Sequence, residues 1–351
     1  MTFVSVVLPS VVNPLGRAAR LEAIAGTWGP RARAVFVSHA TEEPQRWPAW
    51  DSSSSDVLFP RQLMVPAEIP EALGVARLAW VLSQFRERVD FLFLCNDHTF
   101  VIAANLECFL TSLPPTPVYL GRALGQRSKE KIIFNSGAAG YVLSRAALRS
   151  LDWQRSPDCR VAKTNKWLQG NPGLVLAKCL QASGVTAADT RDASGRHRFH
   201  AYGPIRTVTG QVDDWYKRMH ENVPFPDYVV KQGLDCCAPD SVSFHYVEAK
   251  EQAQLHRALS RPEKTIDDDH QWMQTFWPQK AKDLGGYAKP YPSDSPHQRK
   301  DVTTLLFHHL LNNSSVCPPP QAGQTPPAEK TTNSLTRALR RRGDQLHSRG
   351  P

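Results

Sequence analysis

The chain has 351 residues, 41% of them hydrophobic and 21% charged, enough to bury a sizeable core in one large domain or two ordinary ones. Its net charge is +9, but Lys330, Arg337, Arg340, Arg341, Arg342 and Arg349 against Glu329 and Asp344 put +4 of that in the last thirty-one residues. The rest forms no basic stripe with interleaved aromatics, so the body lacks the usual nucleic-acid footprint, and a small anionic substrate suits this balance equally well.

In chain order, Phe3–Leu8 is a short β-branched apolar strand, Leu15–Trp28 carries apolar residues at helical spacing, and Ala34–Val37 is again strand-like. A polar connection rich in Pro and Ser runs over residues 41–55. Glu71–Val89 then places Val75, Leu78, Leu82, Phe85 and Val89 on one helical face, and Phe91–Cys95 follows as a fully apolar strand. Asn105–Leu113 reads as a helix, Val118–Gly121 as a strand, Gly137–Leu143 as a Gly-rich turn into a strand, and Arg145–Leu151 as a short helix. Pro172–Ser183 is helical with Pro in its first turn, where a missing N–H costs nothing. Ser241–Val247 is a last strand. Strands alternating with helices predict an α/β fold, an open and mostly parallel sheet flanked by helices, over residues 1–260. A less defined extension covers 261–311, and a Pro-, Thr- and Arg-rich tail, expected to be disordered, covers 312–351. Met1 leads almost at once into the first strand, and no apolar run approaches the roughly 18 residues of a membrane-spanning helix. Neither a signal nor an anchor is therefore expected in this chain. Its seven cysteines match neither a dense disulfide scaffold nor a CxxC zinc pattern.

In open parallel sheets ligands bind outside the carboxyl ends of the strands, which directs attention to Asn96-Asp97-His98-Thr99 after the apolar strand. A divalent ion presented there would stabilise a leaving diphosphate. Asp97 offers a hard oxygen and His98 an imidazole, both acceptable to Mn²⁺. The same residues also suit a strand-to-helix turn in which Asp97 or Thr99 caps the next helix.

The segment FLFLCNDHTFVIAANLECFL resembles the stretch of glycosyltransferase family 31 in which an apolar strand ends in three aspartates; Asn96, Asp97 and His98 stand at those positions. Phe134–Leu148 is similar to the family's Gly-rich segment, with Ala138 in place of a glycine. Val185–Pro204, with Asp189, Arg191, Asp192, Gly195, Phe199 and His200, resembles the core 1 β1,3-galactosyltransferase branch, as does LDCCAPDSVSFHYV at Leu234–Val247.

The resemblance implies a GT-A type, Rossmann-like nucleotide-sugar fold and inverting transfer of galactose from UDP-galactose to the 3-OH of GalNAc on O-glycoproteins. It implies Mn²⁺ held by Asp97, His98 and His245, and a donor contacted by Asn96, Asp97, Gly137, Ala138, Ala139, Gly140 and Tyr141. The partners would be a UDP-sugar donor and a GalNAc-bearing glycoprotein, with no nucleic acid, and a homodimer or a chaperone complex as the assembly. The compartment would be the Golgi or ER lumen, where Cys236 and Cys237 would form disulfides with Cys159 and Cys179 as partners. One departure is marked. The family's catalytic acidic pair falls on Pro172 and Gly173, so no base stands at the expected position. The alternative is an inactive paralogue that serves as chaperone or partner of such an enzyme.

Overall fold

A computed structural model describes residues 1–10, 15–40, 61–70, 73–126, 131–153, 159 and 170–260. These belong to one compact unit; the expectations for 261–311 and 312–351, and for the connection at 41–55, lie outside the described residues.

The centre is a seven-stranded sheet. Its strands are β1 (Phe3–Val7), β2 (Ala34–His39), β3 (Gln62–Val65), β4 (Phe91–Cys95), β6 (Tyr119–Gly121), β9 (Tyr141–Ser144) and β10 (Ala187–Ala188), in the spatial order β10-β6-β9-β4-β1-β2-β3. Six run in one direction, and β9 alone opposes its neighbours β4 and β6. The sheet is buried on both faces, so its central strands read as continuous apolar runs rather than alternating ones. Period-2 geometry still sorts them: Phe3, Val7, Ala34, Phe36, Phe91, Phe93 and Cys95 pack into one core, and Val4, Val6, Val35, Val37, Leu92 and Leu94 into the other.

Helix α1 (Arg17–Ala25) supplies Leu21 and Ile24 to the first core, joined by Leu106 and Leu110 of α3 (Ala103–Thr111) and Leu255 of α8 (Ala249–Ser260). On the opposite face lie α2 (Gly74–Phe85), α4 (Arg145–Ser150) and α5 (Pro172–Ala182), which bury Leu78, Leu82, Phe85, Leu148, Leu174 and Leu180. A small sheet joins β5 (Phe100–Val101), β12 (Ser243–Phe244) and β11 (Phe199–His200) beside the end of β4. A hairpin of β7 (Ala123–Gln126) and β8 (Ile132–Asn135) forms a separate two-stranded sheet. Two further helices, α6 (Pro204–Val208) and α7 (Asp214–Glu221), and a 3₁₀ turn at Gly233–Cys236 complete the described elements.

The cysteine expectation needs correction. Cys159 bonds Cys179, and Cys236 bonds its neighbour Cys237. Cys159 and Cys179 lie in the core on the α2 side of the sheet, and the adjacent pair in the core on the α1 side, so the sheet stands between the cysteines expected to pair.

Candidate functional site

From β1 the chain moves outward through β2 and β3, then crosses back to β4 on the other side of β1. Connections therefore diverge at the carboxyl ends of β1 and β4, and a crevice opens there. It is a cavity of about 540 Å³, within the roughly 300–1,000 Å³ of ligand sites. Leu8, Pro9 and Ser10 after β1 and Leu94, Cys95 and Asn96 at the end of β4 form its floor; Phe134, Asn135, Gly137 and Tyr141 form one wall. Gly74 and Arg77 from α2, Gly170–Leu174 at the start of α5, and Trp215 and Met219 from α7 close the remainder.

Asn96 builds the turn that ends β4. Its Oδ1 accepts the His98 N–H at 3.0 Å and lies 3.1 Å from Thr99 Oγ1, while Thr99 N–H donates to the Asn96 carbonyl at 3.1 Å. Thr99 Oγ1 also reaches the Ala138 carbonyl at 3.1 Å, tying the turn to the Gly-rich segment. The Asn96 Nδ2 donates to His245 Nε2 at 3.1 Å. His245 follows β12 and precedes Tyr246, a non-glycine residue at φ 58 that turns the chain sharply. Burial, then the neighbouring His98, pushes the His245 imidazole down to about 3.

Asp97 is fully buried in a different setting. Its Oδ1 accepts the Ser10 N–H at 2.8 Å, and its Oδ2 takes Arg20 Nε and Nη2, each at 2.8 Å. Arg20 Nη1 lies 3.5 Å from Glu248 Oε2, and His98 Nδ1 3.2 Å from Glu248 Oε1. From α8, Gln252 Nε2 donates to the Asp97 carbonyl at 3.2 Å while its Oε1 accepts Trp28 Nε1 at 3.0 Å, so two helices clamp the turn.

Of the residues expected to contact a donor, Asn96, Gly137 and Tyr141 line the cavity; Asp97, Ala138, Ala139 and Gly140 do not. Ala139 is core. Gly140 has φ 77, and a Cβ there would collide with the Phe93 ring, so its role is to let β9 start against β4. Gly137 has open space where a Cβ would project.

The expected metal residues do not fit a divalent ion as they stand. The Asp97 charge is neutralised by Arg20 and both its oxygens are engaged, His245 Nε2 accepts from Asn96, and none of Asp97, His98 and His245 lines the cavity. Among the described residues no group of three or more His, Cys, Asp or Glu side chains gathers as a ligand set.

Gly173 does line the cavity, at the second position of α5; the nearest atom to a Cβ there would be the Asn135 carbonyl oxygen at 3.9 Å. No Asp, Glu or His occurs among the described lining residues. Burial raises the Cys95 thiol and the Tyr141 phenol well above their ordinary ranges, so both stay protonated.

Two wall residues escaped the sequence reading. Arg77 is 3% exposed and is the one charged residue of α2, a signal visible as a lone cation inside GVARLAWVLSQF. Asn135 is fully buried, and neither its Oδ1 nor its Nδ2 has a hydrogen-bond partner. It lies within the matched segment Phe134–Leu148, where nothing in its spacing marks it.

A mostly parallel sheet flanked by helices, with its cavity at the switch point, defines an α/β protein of the GT-A-like, Rossmann type. No family model matches the chain. Over 173 residues it is 28% identical to glycoprotein-N-acetylgalactosamine 3-beta-galactosyltransferase 1 of Xenopus laevis, covering 48% of this chain and 44% of that protein. The chain thus spans less than half the length of this curated relative, and the similarity agrees with the resemblance read from the motifs.

Proposed function

We propose that the chain is a galactosyltransferase-type protein that binds a UDP-sugar in the cavity between the ends of β1 and β4. The cavity carries this reading. It sits at the switch point, and its described lining residues combine one cation, Arg77, with the amides of Asn96 and Asn135 and the apolar surfaces of Phe134, Leu174 and Trp215. Stated finely, the donor is UDP-galactose and the acceptor is the 3-OH of GalNAc on an O-glycoprotein.

In an inverting transfer the acceptor oxygen attacks the anomeric carbon, its proton goes to a base, and the bond to the diphosphate breaks. The chain's own contributions to that sequence are binding and orientation: amides for hydrogen bonds, Arg77 against the anionic leaving group, and apolar walls that exclude water. The compartment that fits is the secretory lumen, because the Cys159–Cys179 and Cys236–Cys237 bonds suit an oxidising environment. Among the described residues no helix is long and apolar enough to cross a membrane.

A second reading is favoured by Gly173 at the expected base position and by the absence of Asp, Glu and His among the described lining residues. In it the chain keeps the donor cavity but acts as a non-catalytic partner or chaperone of such an enzyme. Incubating the full chain with UDP-galactose and a GalNAc-bearing peptide separates the two. Galactosylated peptide supports transfer; UDP binding without product supports the partner role. Failure to bind UDP or UDP-galactose overturns both.

A further inference from the structure

We propose that the cavity takes the diphosphate of its nucleotide without a divalent ion, using the Arg77 guanidinium as resident cation and the Asn135 amide as a polar contact. This rests on the donor-binding reading given above and specifies how the charged part of the ligand is held.

A nucleoside diphosphate brings at least two negative charges, and burying them requires a compensating cation. Where a metal fills that role, protein carboxylates or carbonyls usually hold it. Among the described residues that line this cavity there is no carboxylate and no imidazole, and Arg77 is the one charged side chain. A divalent ion placed there would find phosphate and neutral amides as ligands and a guanidinium as its neighbour. The carboxylate nearest in sequence, Asp97, is turned away into its bond with Arg20.

Geometry adds to charge. Arg77 belongs to the first turn of α2, a helix of 12 residues whose first residue, Gly74, also lines the cavity. The start of that helix adds the partial positive charge of its dipole on the same side. A guanidinium offers planar, paired donors that match phosphate oxygens.

Asn135 is the independent observation that a ligand belongs here. Its Oδ1 and Nδ2 are both buried without partners, which is unfavourable unless something bonds to them. Its backbone N–H is held at 2.9 Å by Tyr119 Oη, which anchors the residue in the wall. One donor and one acceptor on an anchored amide suit a phosphate-linked hydroxyl or an imide edge.

The test is titration calorimetry of the full chain with UDP and with UMP, in EDTA and in saturating Mn²⁺. We expect UDP to bind with the same affinity in both buffers, and more tightly than UMP. Arg77→Gln should weaken UDP by about tenfold or more while leaving UMP nearly unchanged, and Asn135→Ala should weaken binding with an unaltered UDP-to-UMP ratio. Arg77→Lys, which keeps the charge, should recover part of the loss and guards against a folding defect in the glutamine variant. UDP binding that appears only with Mn²⁺, or an Arg77→Gln protein that still prefers UDP to UMP as the parent does, overturns the inference and leaves the donor-binding reading standing. No UDP binding in either buffer removes both.

Discussion

Asn96 Nδ2 donates to His245 Nε2 across 3.1 Å, and that bond fixes the imidazole with its proton on Nδ1. A carboxylate in place of the amide would reverse the polarity of the contact, because it has nothing to donate and attracts a proton to Nε2. Asn96→Asp should therefore raise the His245 value from about 3 by about 1–3. Histidine NMR titration of the variant and the parent reads this directly. An unchanged titration would mean that the two side chains do not communicate.

Acid stability follows from the same burial. His220 and His245 are held down to about 3, and His197 and His200 well below their ordinary range, in each case by burial first. In the unfolded chain they titrate near the ordinary histidine value of about 6.5. Between those limits the unfolded state binds protons that the native state refuses. Their contribution to stability is thus complete above about pH 6.5 and is lost progressively as pH falls toward 3. At pH 5, His220 and His245 should each cost about 2 kcal/mol. Urea midpoints at pH 7.5 and pH 5 check this, and equal midpoints would contradict it.

The buried Arg20–Asp97 pair, at 2.8 Å, holds the turn after β4 against α1. Removing one partner leaves the other charge buried, which typically costs about 3–5 kcal/mol. Arg20→Met should lose stability of that size in chemical denaturation. A loss below about 1 kcal/mol, the range of exposed pairs, would show that the pair is solvated.

Much of this fold was legible in the sequence, and the residues explain why. Phe3–Val7, Ala34–His39 and Phe91–Cys95 are apolar runs too short for buried helices, and Val75, Leu78, Leu82 and Phe85 repeat at helical spacing. Pro172 opened α5 as expected. Strand β3, with the half-buried sequence QLMV, and the hairpin β7–β8 were not read, because four-residue segments carry too few side chains to show a period. The expected strand Ser241–Val247 shrinks to two residues, since Tyr246 turns the chain just past it. Asn96 and Gly137, which line the cavity, were singled out from motifs, whereas Arg77 and Asn135 were not. The place of those two against the cavity is a property of the folded chain alone.

Gly173→Asp offers a gain-of-function test. A side chain at that position projects into space, and an acidic residue in the first turn of α5 complements the helix dipole. The variant should fold with stability raised by about 0.3–1 kcal/mol, and its carboxylate would be the one acidic side chain among the described lining residues. If absence of a base is what limits transfer, UDP release from UDP-galactose in the presence of a GalNAc peptide should rise by ~10²-fold or more over the parent. A folded variant with no increase would place the limitation elsewhere.

Whether a UDP-sugar occupies the switch-point cavity is read by hydrogen–deuterium exchange of the full chain with saturating UDP-galactose. Exchange should slow in the segments that line the cavity, Leu8–Ser10, Gly74–Leu78, Phe134–Gly137 and Gly170–Leu174, with α6 at Pro204–Val208 unaffected. Protection that spares these four segments and falls elsewhere, or no protection at all, would contradict it.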